Sequence, residues 1–191
     1  DIASGSARYL VELDSCLKNS FRALCLDRDE RSLQVGRLLA EKFGVQENVT
    51  FQKADVFDGK ALKRALDFEP DVIVVSGLYV YCDDETVRRS LKMLSTLLRP
   101  HGTILVDNQL DNPSRKLMEK VCQTTSGVSW KLRYRSEAEM KALMEPLFNH
   151  IRCTTDKWGI YNIAVGTVGE AMDSRQPFPH KDMPYKHLSA C

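Results

Sequence analysis

Long apolar runs are absent from this sequence. None reaches the roughly 18 residues needed to cross a bilayer, so nothing reads as a membrane-spanning helix. An excess of charge is absent too: 27 Lys and Arg face 26 Asp and Glu, for a net charge of +1. There is thus no overall positive field to draw in a nucleic-acid backbone, and no nucleic-acid partner is expected. Metal-ligand spacing is also missing. The six cysteines, Cys16, Cys25, Cys82, Cys122, Cys153 and Cys191, form no CxxC pair or Cys/His cluster, and no metal site is expected. Most lie in apolar segments, where a free thiol behaves as a small hydrophobe. They read as reduced thiols of a cytoplasmic protein.

What is present is an ordinary globular composition. With 191 residues, 43% hydrophobic and 28% charged, the chain is long enough to bury a core as one domain. Short apolar runs alternate with helical patterns: RALCL (22–26), VTFQK (49–53), DVIVVS (71–76), TILVD (103–107), IRCTTDK (151–157) and YNIAVGTV (161–168). Six strands are expected. Amphipathic stretches lie between them, at 7–17, 30–43, 61–66, 85–98, 114–124 and 137–148. Gly44 suits a left-handed helix cap, Pro113 a helix's first turn, and Ser136 with Glu139 a capping box. Alternation of this kind predicts an α/β fold with a mostly parallel sheet. Only WGI separates the last two strands, which must therefore form an antiparallel hairpin. There is no internal repeat. The expected domain covers 1–168, and 169–191, rich in proline and without periodicity, reads as an extended tail.

The chain opens on DIASGSARYL, which looks like a strand end breaking over Gly5 into a helix. Such a turn lets a ligand approach the backbone at a helix N-terminus. With one glycine flanked at two residues by Ala3 and Ala7, the loop alone equally suits an ordinary strand-to-helix turn. Two further acids strengthen the ligand reading. Asp27 ends the RALCL strand, where a doubly wound fold places the carboxylate that takes ribose hydroxyls, and Asp55 follows VTFQK. A nicotinamide dinucleotide would want a glycine where Arg8 stands. An acid at the head of the loop suits a cationic amino-acid end better than a pyrophosphate, and S-adenosylmethionine combines that end with a ribose.

On these residues the sequence resembles class I S-adenosylmethionine-dependent methyltransferases. More narrowly, it is similar to a methyltransferase family often found behind an α/β-hydrolase domain. The segments DIASGSARYL, DVIVVSGLYVYCDDETVRRSL, SWKLRYRSEAEMKALM and DKWGIYNIAV carry the resemblance. It implies a Rossmann-like fold whose first strand is truncated at Asp1, and a natural polypeptide that continues upstream, where a hydrolase domain would be a partner. It implies S-adenosylmethionine as cofactor and a small-molecule or lipid-like methyl acceptor. Asp1, Ala3 and Gly5 would form the methionine loop, Asp27 would hold the ribose and Arg28 would flank the adenine. Asp55 and the Val56 N–H would meet the adenine edge, and Ser76, Gly77 and Leu78 would line the sulfonium.

Tyr79 and Asp107 are the candidate proton acceptors, with His150 behind them. Tyr79, Gln109, Arg133 and Arg135 are candidates for substrate contact. Lys131, Arg133 and Arg135 alternate as in a strand, which could put their charges on one face toward a phosphate or carboxylate. Two features depart from the family pattern: DNQLDNPS at 107–114 and RPHG, with His101 as a turn residue, in place of a Pro-Gly-Gly turn. Together with the missing loop glycines they leave an alternative, a domain that keeps the fold and binds without turnover.

Overall fold

The computed structural model describes residues 1–169 apart from 19, 60, 61, 63–67, 124–126 and 128. The expected tail and most of the 61–66 helix lie outside the described residues. Two compact units appear, Asp1–Phe68 and Glu69–Glu170. Among the described residues no helix is long and apolar enough to cross a membrane.

The first unit contains α1 (Arg8–Cys16), β1 (Ala23–Asp27), α2 (Glu30–Phe43) and β2 (Val49–Lys53). β1 and β2 pair in parallel from Ala23↔Val49 to Asp27↔Lys53. Residues 1–4 run beside β1 in the same direction: Ile2 bridges Leu26, Leu26 N–H donates to the Asp1 carbonyl, and Ser4 N–H donates to the Leu26 carbonyl. The two helices close over Ala7, Val11, Cys25, Ala40, Val45 and Val49, all buried. α2 starts on Asp29, whose side chain accepts from Arg31 N–H, and stops at Gly44, whose φ of 70° supplies the left-handed cap. Burial pushes the Cys25 thiol up to about 11, so it packs as a neutral side chain.

The second unit contains β3 (Val72–Val75), a 3₁₀ turn (Tyr79–Tyr81), α3 (Asp84–Ser95), β4 (Thr103–Gln109), α4 (Arg115–Val121), α5 (Glu137–Met144), β5 (Asn149–Thr155) and β6 (Tyr161–Thr167). Its strand order is β3-β4-β6-β5. β3 and β4 are parallel, and β6 runs antiparallel to both β4 and β5, as the short WGI connection requires. α3 buries Val87, Ser90, Leu91 and Leu94, one stripe at helical spacing. α5 has the expected capping box, with Ser136 and Glu139 bonding each other's backbone N–H.

All six expected strands form, and the α/β class with parallel strands and a terminal antiparallel hairpin stands. α4 differs in detail. Pro113 precedes its N-cap Ser114 instead of occupying the first turn. The helix ends at Val121, because the following backbone turns extended and Gln123 bridges Ser129.

Candidate functional site

In the first unit the parallel register brings the loop 1–7, Asp27 and the segment after Lys53 to the carboxyl ends of the strands, the end where open α/β sheets bind ligands. Ala3, Gly5 and Ala7 all adopt left-handed backbone, with φ of 55°, 55° and 44°. For the two alanines this conformation costs about 1–2 kcal/mol each, a strain typical of functional loops. A Cβ placed on Gly5 would meet nothing within 4 Å, so the loop is open on that side.

Asp27 organises this loop. One carboxylate oxygen accepts from Gly5 N–H at 2.8 Å and the other from Asp29 N–H at 2.8 Å. Each oxygen keeps lone-pair capacity for a ligand hydroxyl. Asp1 has no such protein partners: both its carboxylate oxygens are buried and unbonded. A buried carboxylate is costly unless a cation or donors meet it. The cationic amino-acid end of S-adenosylmethionine fits that need, and the ribose fits Asp27. Asp55 is exposed and accepts from Phe57 N–H at 2.9 Å, Val56 is buried at 7% exposure, and Arg28 is exposed.

Sequence reasoning overlooked Gly36. A Cβ there would lie 2.3 Å from the Phe51 ring and 2.8 Å from the Ser6 carbonyl. α2 therefore comes close enough to touch the loop backbone, the service expected of a glycine at position 8. Arg8 instead points outward to Glu12. A lone glycine inside the regular apolar period of 30–43 was the available signal.

In the second unit Ser76 follows β3 directly opposite Asp107 on β4. Ser76 Oγ donates to Asp107 Oδ2 at 2.5 Å, and Gly77 N–H donates to Oδ1 at 2.8 Å, with Gly77 at φ 70°. Both turn residues are exposed, and Leu78 is half-buried.

Three expectations need correction here. Tyr79 is not a proton acceptor: it is wholly buried, its hydroxyl shares a 3.0 Å hydrogen bond with Ser90, and burial raises its pKa further above the usual phenol value. Arg135 is not free for substrate. It is 4% exposed, and its guanidinium donates to the Tyr79 and Cys82 carbonyls, Asn108 Oδ1 and Asp84. The 131–135 segment is not a strand with one basic face. Leu132 and Arg135 turn inward while Lys131 and Arg133 are exposed, and Arg133 helps hold the Asp83 carboxyl below its usual range, behind the hydrogen bonds from Thr86.

Gln109 is buried at the end of β4. His150 sits on the irregular start of β5 at φ 50°, its Nε2 buried and unbonded, away from Ser76 and Asp107 in the strand register. His101 is the expected turn residue, at φ 64°.

Parallel strands with Asp27 at the end of β1, Asp55 just past β2 and Asp107 toward the end of β4, a strained loop opening a helix, and a closing antiparallel hairpin define the class I S-adenosylmethionine-dependent methyltransferase fold. The chain belongs to the family described as "Putative methyltransferase", whose model matches residues 1–167. It is 28% identical over 168 residues to "Uncharacterized protein YnbC" of Escherichia coli (strain K12), covering 86% of this chain and 28% of that protein. Among solved structures it is similar to the S-adenosylmethionine-dependent methyltransferase SibL in its apo form, at TM-score 0.69 and 22% identity over 89% of this chain and 50% of that one. It is also similar to human N-acetylserotonin methyltransferase in complex with SAM, at TM-score 0.63 and 18% identity over 89% of this chain and 47% of that one. The chain thus spans less than a third of YnbC and about half of each of these structures.

Proposed function

We propose that the protein transfers a methyl group from S-adenosylmethionine to a small-molecule or lipid-like acceptor. The observation that carries this reading is the Asp1 carboxylate, buried and unbonded beside a strained loop that Asp27 holds open. Asp1 would receive the ammonium group and Asp27 the ribose hydroxyls. Arg28, Asp55 and Val56 would meet the adenine, and Ser76, Gly77 and Leu78 the reacting end.

When bound, this cofactor supplies a methyl group on a sulfonium, open to in-line displacement. The protein's part is alignment and exclusion of water. For a hydroxyl or ammonium acceptor a base must also take the proton. Asp107 is that base in our reading, directly or through the Ser76 hydroxyl to which it is bonded. Relatives named as methyltransferases of small molecules support the acceptor class. The hydrolase association implied by the sequence resemblance makes an ester-derived acceptor the natural extension.

The test is transfer of labelled methyl to a panel of phenols, carboxylic acids and amines. Turnover is expected with at least one acceptor, and Asp107→Asn should lower kcat about 100-fold while leaving the KM for S-adenosylmethionine unchanged. Cofactor binding with no transfer to any acceptor would favour the alternative of a binding domain without turnover.

A further inference from the structure

The carboxyl end of β4 holds a polar group with no partner. Gln109 is 8% exposed; its Nε2 donates to the Tyr161 hydroxyl at 3.0 Å, and its Oε1 is buried and unbonded. Turning the amide over would only exchange which end lacks a partner. An unmet buried amide oxygen costs about 1–3 kcal/mol, so its persistence asks for an explanation.

The strand register shows how the pair arises. Gln109 stands opposite Tyr161 in the β4–β6 ladder. The Tyr161 oxygen already accepts from Gln109, which leaves its own proton to point onward. One acceptor and one donor therefore lie side by side, and Tyr161, at 40% exposure, is the part that reaches solvent.

The surroundings at this end of the strands are flat and aromatic. Trp158, 71% exposed, lies in the turn just before Tyr161. Tyr81, just beyond β3, stacks on Trp130 with ring centroids 6.5 Å apart and planes 7° from parallel. Of the cations that suggested an anionic ligand, Arg135 is held in its cage with Asp84, whereas Lys131 and Arg133 are exposed.

Building on the methyltransferase reading, we propose that Gln109 and Tyr161 are the recognition pair for the methyl acceptor. They select a neutral, planar molecule that carries a hydrogen-bond donor next to an acceptor, as a ring amide does. The ligand N–H donates to Gln109 Oε1, the Tyr161 hydroxyl donates to the ligand carbonyl, and the flat faces meet the neighbouring rings.

The probes are 2-quinolone, which has the N–H beside the carbonyl, and 1-methyl-2-quinolone, which lacks it. Binding is read by ligand-observed NMR and by quenching of the two tryptophans. The protein should bind 2-quinolone saturably and its N-methyl analogue about tenfold more weakly. Tyr161→Phe should weaken 2-quinolone about tenfold, and Gln109→Leu should abolish the discrimination between the two probes. Equal binding of the two probes, or no saturable binding of either, overturns the proposal even if a variant fails to fold. So does an unchanged affinity in a variant that unfolds at the usual temperature. S-adenosylhomocysteine is titrated in parallel: its failure to bind, with quinolone discrimination intact, would remove the methyl-transfer reading and leave the recognition pair.

Discussion

Asp14 in the first unit and Arg135 in the second are both buried charged residues, and the two are held differently. Asp14 in the first unit is 0% exposed and accepts from Phe21 N–H at 3.4 Å and Asn48 Nδ2 at 3.1 Å. These neutral donors tie the end of α1 to the entrances of β1 and β2. Arg135 in the second unit has an ionic partner in Asp84 and bonds two backbone carbonyls and an amide besides. Asn162 then donates to its carbonyl at 2.9 Å. The first unit thus ties α1 to the two strand entrances with two neutral hydrogen bonds, and leaves the Asp1 carboxylate unmet. The second unit gathers Tyr79, Cys82 and Asp84 from one segment and Asn108 from β4 around one cation. The second unit should therefore be much more sensitive to a single internal change.

The largest expected effect follows from that difference. Arg135→Met should destabilise by about 3 kcal/mol, because the Tyr79 and Cys82 carbonyls lose their donors inside the protein. Denaturant unfolding measures this, and a loss below about 1 kcal/mol would show that the cage is not what holds the second unit.

Gly36→Ala should come next. The added methyl would overlap the Phe51 ring and the Ser6 carbonyl, and overpacking costs typically 1–3 kcal/mol. A net loss of about 2 kcal/mol is expected after the gain in helix propensity. Cofactor affinity should fall with it, since the displaced backbone belongs to the loop proposed to hold the cofactor.

The smallest effect has the opposite sign. Ala3→Gly relieves a left-handed alanine at the expense of a more flexible unfolded chain, for a net gain of about 0.5 kcal/mol. A loss of stability on this change, measured in the same way, would mean that the φ of 55° is not strained.

The two units were also unequally legible in sequence. In the first, strand ends, cap residues and acids follow one another along the chain, so Asp27, Gly44 and the strand limits could be read by period and spacing. In the second, periodicity found the strands and α3, but the role of Arg135 could not be read. Alternating basic residues look like one strand face, yet the chain at 131–135 has no strand partner. Instead Arg133 N–H bonds the Val80 carbonyl and Arg135 N–H the Gln109 carbonyl. Only those tertiary bonds turn the Arg135 side chain inward. Tyr79 misled for the same reason: a tyrosine just past a strand end suits a binding wall, but the 3₁₀ turn swings it against Ser90 on α3. Gly36 was hidden because its reason for being glycine lies on Ser6 and Phe51, far from it in sequence.

The most direct test of the account sets stability against binding at Asp1. S-adenosylhomocysteine is titrated calorimetrically into the protein and into Asp1→Asn, with thermal unfolding recorded for both. Removing a buried, unpartnered charge should leave the unfolding temperature unchanged or higher, while the Kd for the ligand rises at least about tenfold. Equal affinity in the two proteins, or a well-folded parent that takes up no ligand, would contradict the assignment of this loop to the cofactor.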